Sequence, residues 1–460
     1  MLKLIGIKQI LIMKPDKYQL AAIKSNTNTL LIAGAGAGKT FTIIEKVKYL
    51  ITQNIVKPQE ILIISYTNKS TEDLKKRLTY DIQVLTFHKL AMKILDLYQV
   101  PYNIKGDTYL EYVINEFFLS LTNNTYIKEI LKYFKEYDYK IFLNTYKYKE
   151  FKNILVKLIK LYKTNNCTKD NFKSLFKINN FLAKYTYIVY CIYTSELASD
   201  NSLDLDDLII KATLVLNKNT NYKYIIIDEF QDTSLIRFNL IKRIYELSKS
   251  TLFCVGDDYQ SIYHFSGCDL NIFLNFSKTI PNTSVMKLKN TYRNSQKLIN
   301  ISTKFIMKNK LQNPKELISL KHEEKPIEYI YYINPKKTFQ KIYQKLKNNN
   351  TSLLVLGRNN FDIKAFSNKE IPEFMTVHAS KGLESDNVIL INLTNNLYGF
   401  PNKIINTKIL EELHSTDKSI LYAEERRLFY VALTRTKNKV YILVPIINKS
   451  CFIKEIKKLK

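Results

Sequence analysis

Apolar residues in this chain gather in two rhythms. Unbroken runs at 29–33 (TLLIA), 61–65 (ILIIS), 224–228 (YIIID) and 251–255 (TLFCV) predict strands buried on both faces. A second set stands at 327–333 (IEYIYYI), 352–356 (SLLVL), 387–392 (NVILIN) and 440–444 (VYILV). Between the runs, apolar positions recur at helical spacing, so strands alternate with helices and a parallel α/β architecture is predicted. Residues 101–200 break the alternation. They are rich in Tyr and Lys and keep the helical rhythm, as in YIKEILKYFKEYDYKIFL (126–143), with no strand-like run. The expected organisation is a first α/β unit split into 1–100 and 201–282, a helical insertion at 101–200, and a second α/β unit at 283–460.

Composition narrows the class. A chain of 460 residues with 46% hydrophobic content holds roughly three domains and a sizeable core. No stretch of about 18 apolar residues predicts a membrane span. The opening MLKLIGIKQILIMKP is broken by Lys3 and Lys8 and lacks a small-residue cleavage site, so it is expected to lead into the first unit, not to act as a signal peptide. Five cysteines without a CxxC spacing fit a reducing compartment and argue against a disulfide framework. Five scattered histidines give no structural metal site. A soluble intracellular protein is expected. The net charge of +28 suits a polyanionic partner. A/T-rich codons would give the same excess of Lys, Asn, Ile and Tyr, however, and the lysines are scattered. The insertion carries 15 lysines against 10 acidic residues, too even a balance to mark it as a nucleic-acid domain.

Scarcity is more informative. Lys and Arg total 70, yet only eight are Arg, at 77, 237, 243, 293, 358, 426, 427 and 435. Where a simple charge suffices this chain uses Lys, so each Arg is a candidate for planar, bidentate contact with phosphate or carboxylate. Of ten glycines, three fall between Gly34 and Gly38. There the strand TLLIA runs into Ala33-Gly34-Ala35-Gly36-Ala37-Gly38-Lys39-Thr40 and then a helical stretch. This is a phosphate-binding loop in its strand–loop–helix setting, with Ala33 in place of the first Gly; a chance Gly-rich turn is the alternative. Lys39 would reach the β- and γ-phosphates of ATP and the Thr40 hydroxyl would hold Mg²⁺. The run YKYIIIDEFQD ends in Asp228-Glu229. Asp228 can hold Mg²⁺ through water, and Glu229 can orient and deprotonate an attacking water.

Seven ordered segments then resemble the UvrD/Rep-type superfamily 1 DNA helicases: 64–78 (ISYTNKSTEDLKKRL), 86–91 (TFHKLA), 228–234 (DEFQDTS), 255–270 (VGDDYQSIYHFSGCDL), 288–295 (LKNTYRNS), 376–390 (TVHASKGLESDNVIL) and 423–437 (AEERRLFYVALTRTK). FSGCDL, KNTYRNS, YGFP (398–401) and the closing KSCFIKEI look most like the DNA helicase IV branch. The resemblance implies two RecA-like parallel-sheet domains (a P-loop NTPase) with ATP and Mg²⁺ in the cleft between them and single-stranded DNA across the top. By position, it implies that Gln19 reads the adenine edge while Tyr292 stacks on its ring. Gln260 senses the γ-phosphate, Glu384 lies near the ribose and γ-phosphate, and Arg293 and Arg435 are arginine fingers from the second domain. Phe87, Tyr263 and Phe265 are implied to stack on bases, with core packing as the alternative for each. Thr67, Asn68, His88, Arg358 and His378 are candidate DNA-backbone contacts, with structural hydrogen bonding as the alternative. Arg426 and Arg427 are expected to pair with Glu424 or Glu425, and Asp206 and Asp207 either to match a further family segment or to cap a helix.

The implied activity is an ATP-dependent helicase or translocase, 3′→5′, on single-stranded and tailed duplex DNA, with RNA left open. Departures matter. Phe41 stands where many relatives carry Arg, and Tyr259 and Ser385 differ from the commoner residues. Only 17 residues separate Arg358 from Thr376, too few for the family's large second-domain insertion. The rivals are a translocase or protein-displacing motor that does not separate strands, and a non-catalytic DNA-binding subunit; intact Lys39, Asp228, Glu229, Gln260, Arg293 and Arg435 speak against the second. With 25 residues after Arg435, a fused nuclease is not expected.

Overall fold

The architecture comes from a computed structural model, which describes residues 14–349, 351–403 and 420–459. The apolar opening at 1–13 lies outside them. Among the described residues thirteen strands follow in chain order: β1 (Asn28–Ile32), β2 (Ile61–Ile64), β3 (Gln83–Leu85), β4 (Asn103–Ile104), β5 (Ser202–Leu203), β6 (Tyr224–Ile227), β7 (Thr251–Gly256), β8 (Thr283–Lys287), β9 (Ile327–Tyr332), β10 (Leu353–Gly357), β11 (Phe374–Thr376), β12 (Ser385–Leu390) and β13 (Thr436–Pro445). β4 and β5 pair with each other, and the other eleven form two parallel sheets, ordered β3-β2-β6-β7-β1-β8 and β11-β10-β12-β13-β9. Every predicted apolar run is a strand in one of them.

The unbroken apolar runs have a direct cause. Along the central strands, alternate residues enter different cores. Leu30, Ile32, Leu62, Ile64, Ile225 and Ile227 pack on one face of the first sheet. Leu31, Ile61, Ile63, Ile226, Phe253 and Val255 pack on the other. Each such aliphatic burial contributes about 1.5–3 kcal/mol, so neither face tolerates polar alternation. The second sheet is built alike, with Val388, Leu390, Val440 and Ile442 facing one core and Ile389, Ile391 and Leu443 the other.

Residues 109–199 fold into helices around their own aromatic-rich core, in which Phe118, Phe142, Phe151 and Tyr185 are fully buried. The short parallel pair β4–β5 closes the neck of this insertion. One boundary needs correction. The strand 283–287, expected to begin the second unit, is the edge strand of the first sheet, paired along the whole of β1. After β8 the chain turns back over the loop Ala33–Lys39 before entering the helix Gln296–Ile306. That crossing segment brings the two sheets into one site.

Candidate functional site

In the first sheet β6, β7 and β1 are adjacent. The loops that leave their carboxyl ends therefore lie side by side: Asp228–Asp232 after β6, Asp257–Gln260 after β7, and Ala33–Lys39 after β1. A crevice at the carboxyl ends of parallel strands is where such folds bind ligands. The glycine-rich loop after β1 is pinned to its neighbour by Ala33 N, which donates to Gly256 O at 2.9 Å. Gly38, at φ +80°, turns the chain into the helix Lys39–Thr52, leaving its first amides directed at the crevice.

The crossing segment lies on this loop. Thr291 Oγ1 donates to Ala35 O at 2.7 Å, and Tyr292 N donates to Gly36 O at 3.0 Å. A Cβ at Gly36 would come within 2.4 Å of the Arg293 Cβ, so glycine is required here by the second half of the chain as well as by its positive φ. Lys315 adds a third tie: its buried ammonium pairs with Asp257, lies 2.6 Å from Asp258 Oδ1 and donates to Ala33 O.

Lys39 and Glu229 meet at the centre, Nζ to Oε1 2.6 Å. Burial opposes the charge on Lys39, but Glu229, Asp228 and Asp257 outweigh it and its pKa is raised. Burial also opposes ionisation of Glu229, yet Lys39 and Lys381 hold its carboxyl down at about 2. Asp228 goes the other way: burial, reinforced by Glu229, pushes it up to about 6. Two neighbouring carboxylates are thus driven apart, one firmly ionised and one poised. Glu229 sits at φ +51°, a left-handed conformation that costs a non-glycine residue roughly 1–2 kcal/mol. Gln231 steadies it, donating Nε2 to Glu229 Oε2 at 2.7 Å while its own Oε1 accepts from Asp257 N at 2.8 Å.

The residues expected from the second half arrive as follows. Arg435 is 1% exposed and donates Nη2 to Gln260 Oε1 at 2.7 Å; Gln260 in turn donates to Asp257 Oδ2 at 2.5 Å. Burial, then Arg293, lowers the Arg435 pKa to about 9. Arg293 donates Nε to Glu384 Oε2 at 2.8 Å, and Glu384 also meets Lys437 at 3.1 Å. Gln19 and Tyr292 share a corner through Asp16. The Tyr292 hydroxyl donates to Asp16 Oδ2 at 2.7 Å with its ring half exposed, while the Gln19 amide bonds Asp16 N and Ala37 O. For a hard cation, Thr40 and Asp228 offer oxygen: Asp228 Oδ1 accepts from Glu229 N at 2.9 Å, and the raised pKa reports a buried carboxylate short of positive charge. The donor set fits Mg²⁺ arriving with phosphate oxygens. Among the described residues no group of three or more His, Cys, Asp or Glu is placed to hold a metal ion by itself.

The expected nucleic-acid contacts divide. Thr67 and Asn68 are exposed at the start of the helix Asn68–Arg77, where Thr67 accepts from Ser70 N. Phe265 is 54% exposed and stands edge-on to His378, 5.4 Å between ring centres. Tyr263 donates to His378 O at 3.2 Å, with the Lys381 ammonium 4.8 Å over its ring. His378 and His88 are half-buried, and burial first, then neighbouring cations, lowers each pKa to about 4. Phe87 is a correction. It is 2% exposed, edge-packed on Tyr66 at 5.5 Å within the first core, so neither face of its ring is open to a base. Arg358 is paired with Glu425 at 2.8 Å through both Nε and Nη2.

The pairing expected of Arg426 is also revised, whereas the charge of Arg427 does act on Glu424. Arg426 forms a two-pronged pair with Glu455 at 2.8 and 2.9 Å, between the rings of Phe305 and Phe452. Arg427 donates to Ser261 O at 2.7 Å, and Glu424 accepts from the backbone of His264 and Phe265. Asp204, not Asp206 or Asp207, caps the helix Leu205–Val215; Lys163 of the insertion pairs with Asp204 and Asp207. Two working residues escaped the sequence reading. Lys381 pairs with Asp232 and donates to Gln260 O at 2.8 Å, joining the second half to both acidic loops. Its signal was available, as the single lysine inside TVHASKGLESD. Lys315 lies in a stretch without a motif, and one lysine among 62 carries no signal.

Comparison with known proteins agrees with this geometry. Residues 15–281 match the family described as the UvrD/REP helicase N-terminal domain, and 367–445 match the UvrD-like helicase C-terminal domain. The chain is 30% identical to a probable DNA helicase II homolog of Mycoplasma capricolum, over 68% of this chain and 44% of that protein. It is 26% identical to DNA helicase IV of Escherichia coli over 95% of this chain and 69% of that protein. With the ATP-dependent DNA helicase PcrA of Bacillus subtilis it shares 29% identity, over 68% and 42%. The chain thus spans less than half the length of two of these three. No helix among the described residues is long and apolar enough to cross a membrane.

Proposed function

Because the chain belongs to the UvrD/REP helicase family, we propose that it is an ATP-driven motor that moves 3′→5′ along single-stranded DNA and separates tailed duplexes. The observation that carries the reading is the contact between Arg435 and Gln260, 2.7 Å, beside the Lys39–Glu229 pair. Side chains from both sheets share one crevice there. Lys39 exchanges Glu229 for the triphosphate. Freed, Glu229 loses the larger of the two charges that hold its carboxyl down, so its proton affinity rises and it takes a proton from an attacking water. Arg293 and Arg435 meet the charge that builds on the transferred phosphoryl group. Thr40 and Asp228 would hold Mg²⁺, which neutralises the β- and γ-phosphate oxygens.

The Gln260 loop continues into Ser261–Phe265, gripped by Arg427 and Glu424 of the helix Ala423–Leu433. A change at Gln260 therefore reaches Tyr263, Phe265 and His378, the proposed base-facing cluster. Base–aromatic stacking is worth about 1–3 kcal/mol per base and tolerates any sequence, as a stepping motor needs.

A second reading is movement without strand separation. The connection from β10 to β11 supports it, holding only the short turn Asp362–Ala365. Strand-displacement assays on 3′- and 5′-tailed DNA and RNA duplexes, run beside ATPase assays with single strands, distinguish the readings. ATPase stimulated by single strands with displacement from 3′ tails supports a helicase, and stimulation without displacement supports a translocase. An ATPase indifferent to single strands overturns both.

A further inference from the structure

Arg237 lies outside every motif above, in the first turn of the helix Leu235–Ser248. Its guanidinium carbon stands 5.5 Å from the Tyr66 ring centre and 5.9 Å from that of Phe87. Tyr66 is locked in turn, its hydroxyl donating to Thr233 Oγ1 at 2.6 Å. The two rings follow β2 and β3, so they sit at the carboxyl edge of the first sheet, beside exposed Thr67 and Asn68 and half-buried His88.

Half-buried Arg237 has no hydrogen-bond acceptor or carboxylate within bonding distance among the described residues. The other arginines behave differently. Arg243, Arg293, Arg358, Arg426, Arg427 and Arg435 each bond a carbonyl or carboxylate, and Arg77 is exposed at the end of its helix. Asp206 feels the Arg237 charge without forming an ion pair, and its carboxyl is pushed up to about 6, by burial first and then Asp204. Five donors that are partly desolvated, braced against two rings and left without an acceptor describe a seat for an oxyanion.

We infer that Arg237 binds a backbone phosphate of single-stranded nucleic acid, with Tyr66 and Phe87 holding its guanidinium flat. The inference rests on the motor reading above and assigns Phe87 a bracing part in place of base stacking. A phosphate contact carries no sequence information, which suits a strand that must slide past.

Binding of a fluorescent oligo-dT strand, followed by anisotropy across a salt series, provides the test. Arg237→Gln should weaken binding about 3–10-fold at low salt and reduce the slope of log K against log salt by about 0.7, one phosphate's worth. Lys278→Gln removes the same charge from an exposed site near the amino end of β8 and should bind as the unaltered protein does. Equal effects of the two substitutions, or none from Arg237→Gln, overturn the inference. Should Arg237→Gln lose its melting transition, Arg237→Lys carries the test. It keeps the charge but not the fork, so weaker binding at unchanged slope supports the assignment, and unaltered affinity overturns it. If the unaltered protein itself fails to bind the strand, the motor reading falls first.

Discussion

Replacing Glu229 with Gln should separate binding from chemistry in the proposed ATPase. In the proposed motor the triphosphate displaces Glu229 from Lys39, so this pair must break before Lys39 reaches phosphate. A carboxyl held at about 2 instead of 4.5 has its burial penalty outweighed by a net of roughly 3 kcal/mol. Lys39 and Lys381 share that net, which leaves about 1–2 kcal/mol for the pair that breaks. Glu229→Gln removes the competition and leaves the Asp228 and Thr40 donors in place. ATP should therefore bind about 5–30-fold more tightly, since each 1.4 kcal/mol is tenfold in an equilibrium constant. Turnover should fall by about 10²–10⁴, the usual contribution of a general base. Titration with a fluorescent ATP analogue reads the first quantity, and phosphate release in the presence of oligo-dT reads the second. Weaker ATP binding would show that Glu229 supports the nucleotide instead of competing with it. Turnover within tenfold of the unaltered rate would remove Glu229 from the chemistry.

Further outcomes follow from the same geometry. Arg435→Ala and Arg293→Ala should each lower the maximal ATPase rate by about 10³ or more with a smaller change in KM, read by steady-state kinetics; a pure KM effect would make them binding groups. The Mg²⁺ concentration that sustains ATP hydrolysis should rise as pH drops through about 6, where burial-raised Asp228 takes up a proton that competes with the cation. His88, His264 and His378, lowered to about 4, stay neutral across that range. Asp232 is also raised to about 6 by burial but is no proposed cation ligand, so a step that excess Mg²⁺ fails to shift would belong to Asp232 and not to Asp228. Lys381→Met strands Asp232, which is 2% exposed, and should destabilise the fold by about 3–5 kcal/mol. Lys381→Met with Asp232→Asn should recover most of the melting temperature, and equal melting of the single and double variants would deny the pair its role. Phe87→Leu keeps an apolar side chain in the core, so oligo-dT affinity should fall without loss of the fold; unchanged affinity would leave Arg237 unbraced by this ring.

The strands were legible along the chain because a parallel sheet covered on both faces leaves no polar alternation. The loop Ala33–Lys39 between β1 and its helix was legible because its glycines and Lys39 are contiguous and the strand before them is apolar. Asp228 and Glu229 stood out for the same reason, at the end of a four-residue run buried throughout. Such information is local: it needs only a period and a neighbour in sequence. The insertion, with helical spacing throughout, belongs with them.

Tertiary structure alone decided which distant groups meet. β8 pairs with β1 from 255 residues away, and neither its composition nor its spacing says to which sheet it belongs. Phe87 occupies a motif position, but whether a ring faces solvent or the core depends on what covers it, and Tyr66 and Arg237 do. Arg426 chose Glu455 over the nearer Glu424 and Glu425 because a helix turns adjacent residues to different sides, and Glu455 reaches the side between Phe305 and Phe452. Lys315 and Lys381 are two lysines among many until folding buries them against carboxylates. A charge acquires a role only when water is removed around it and a partner supplied, and both are fixed by chain segments far apart in sequence.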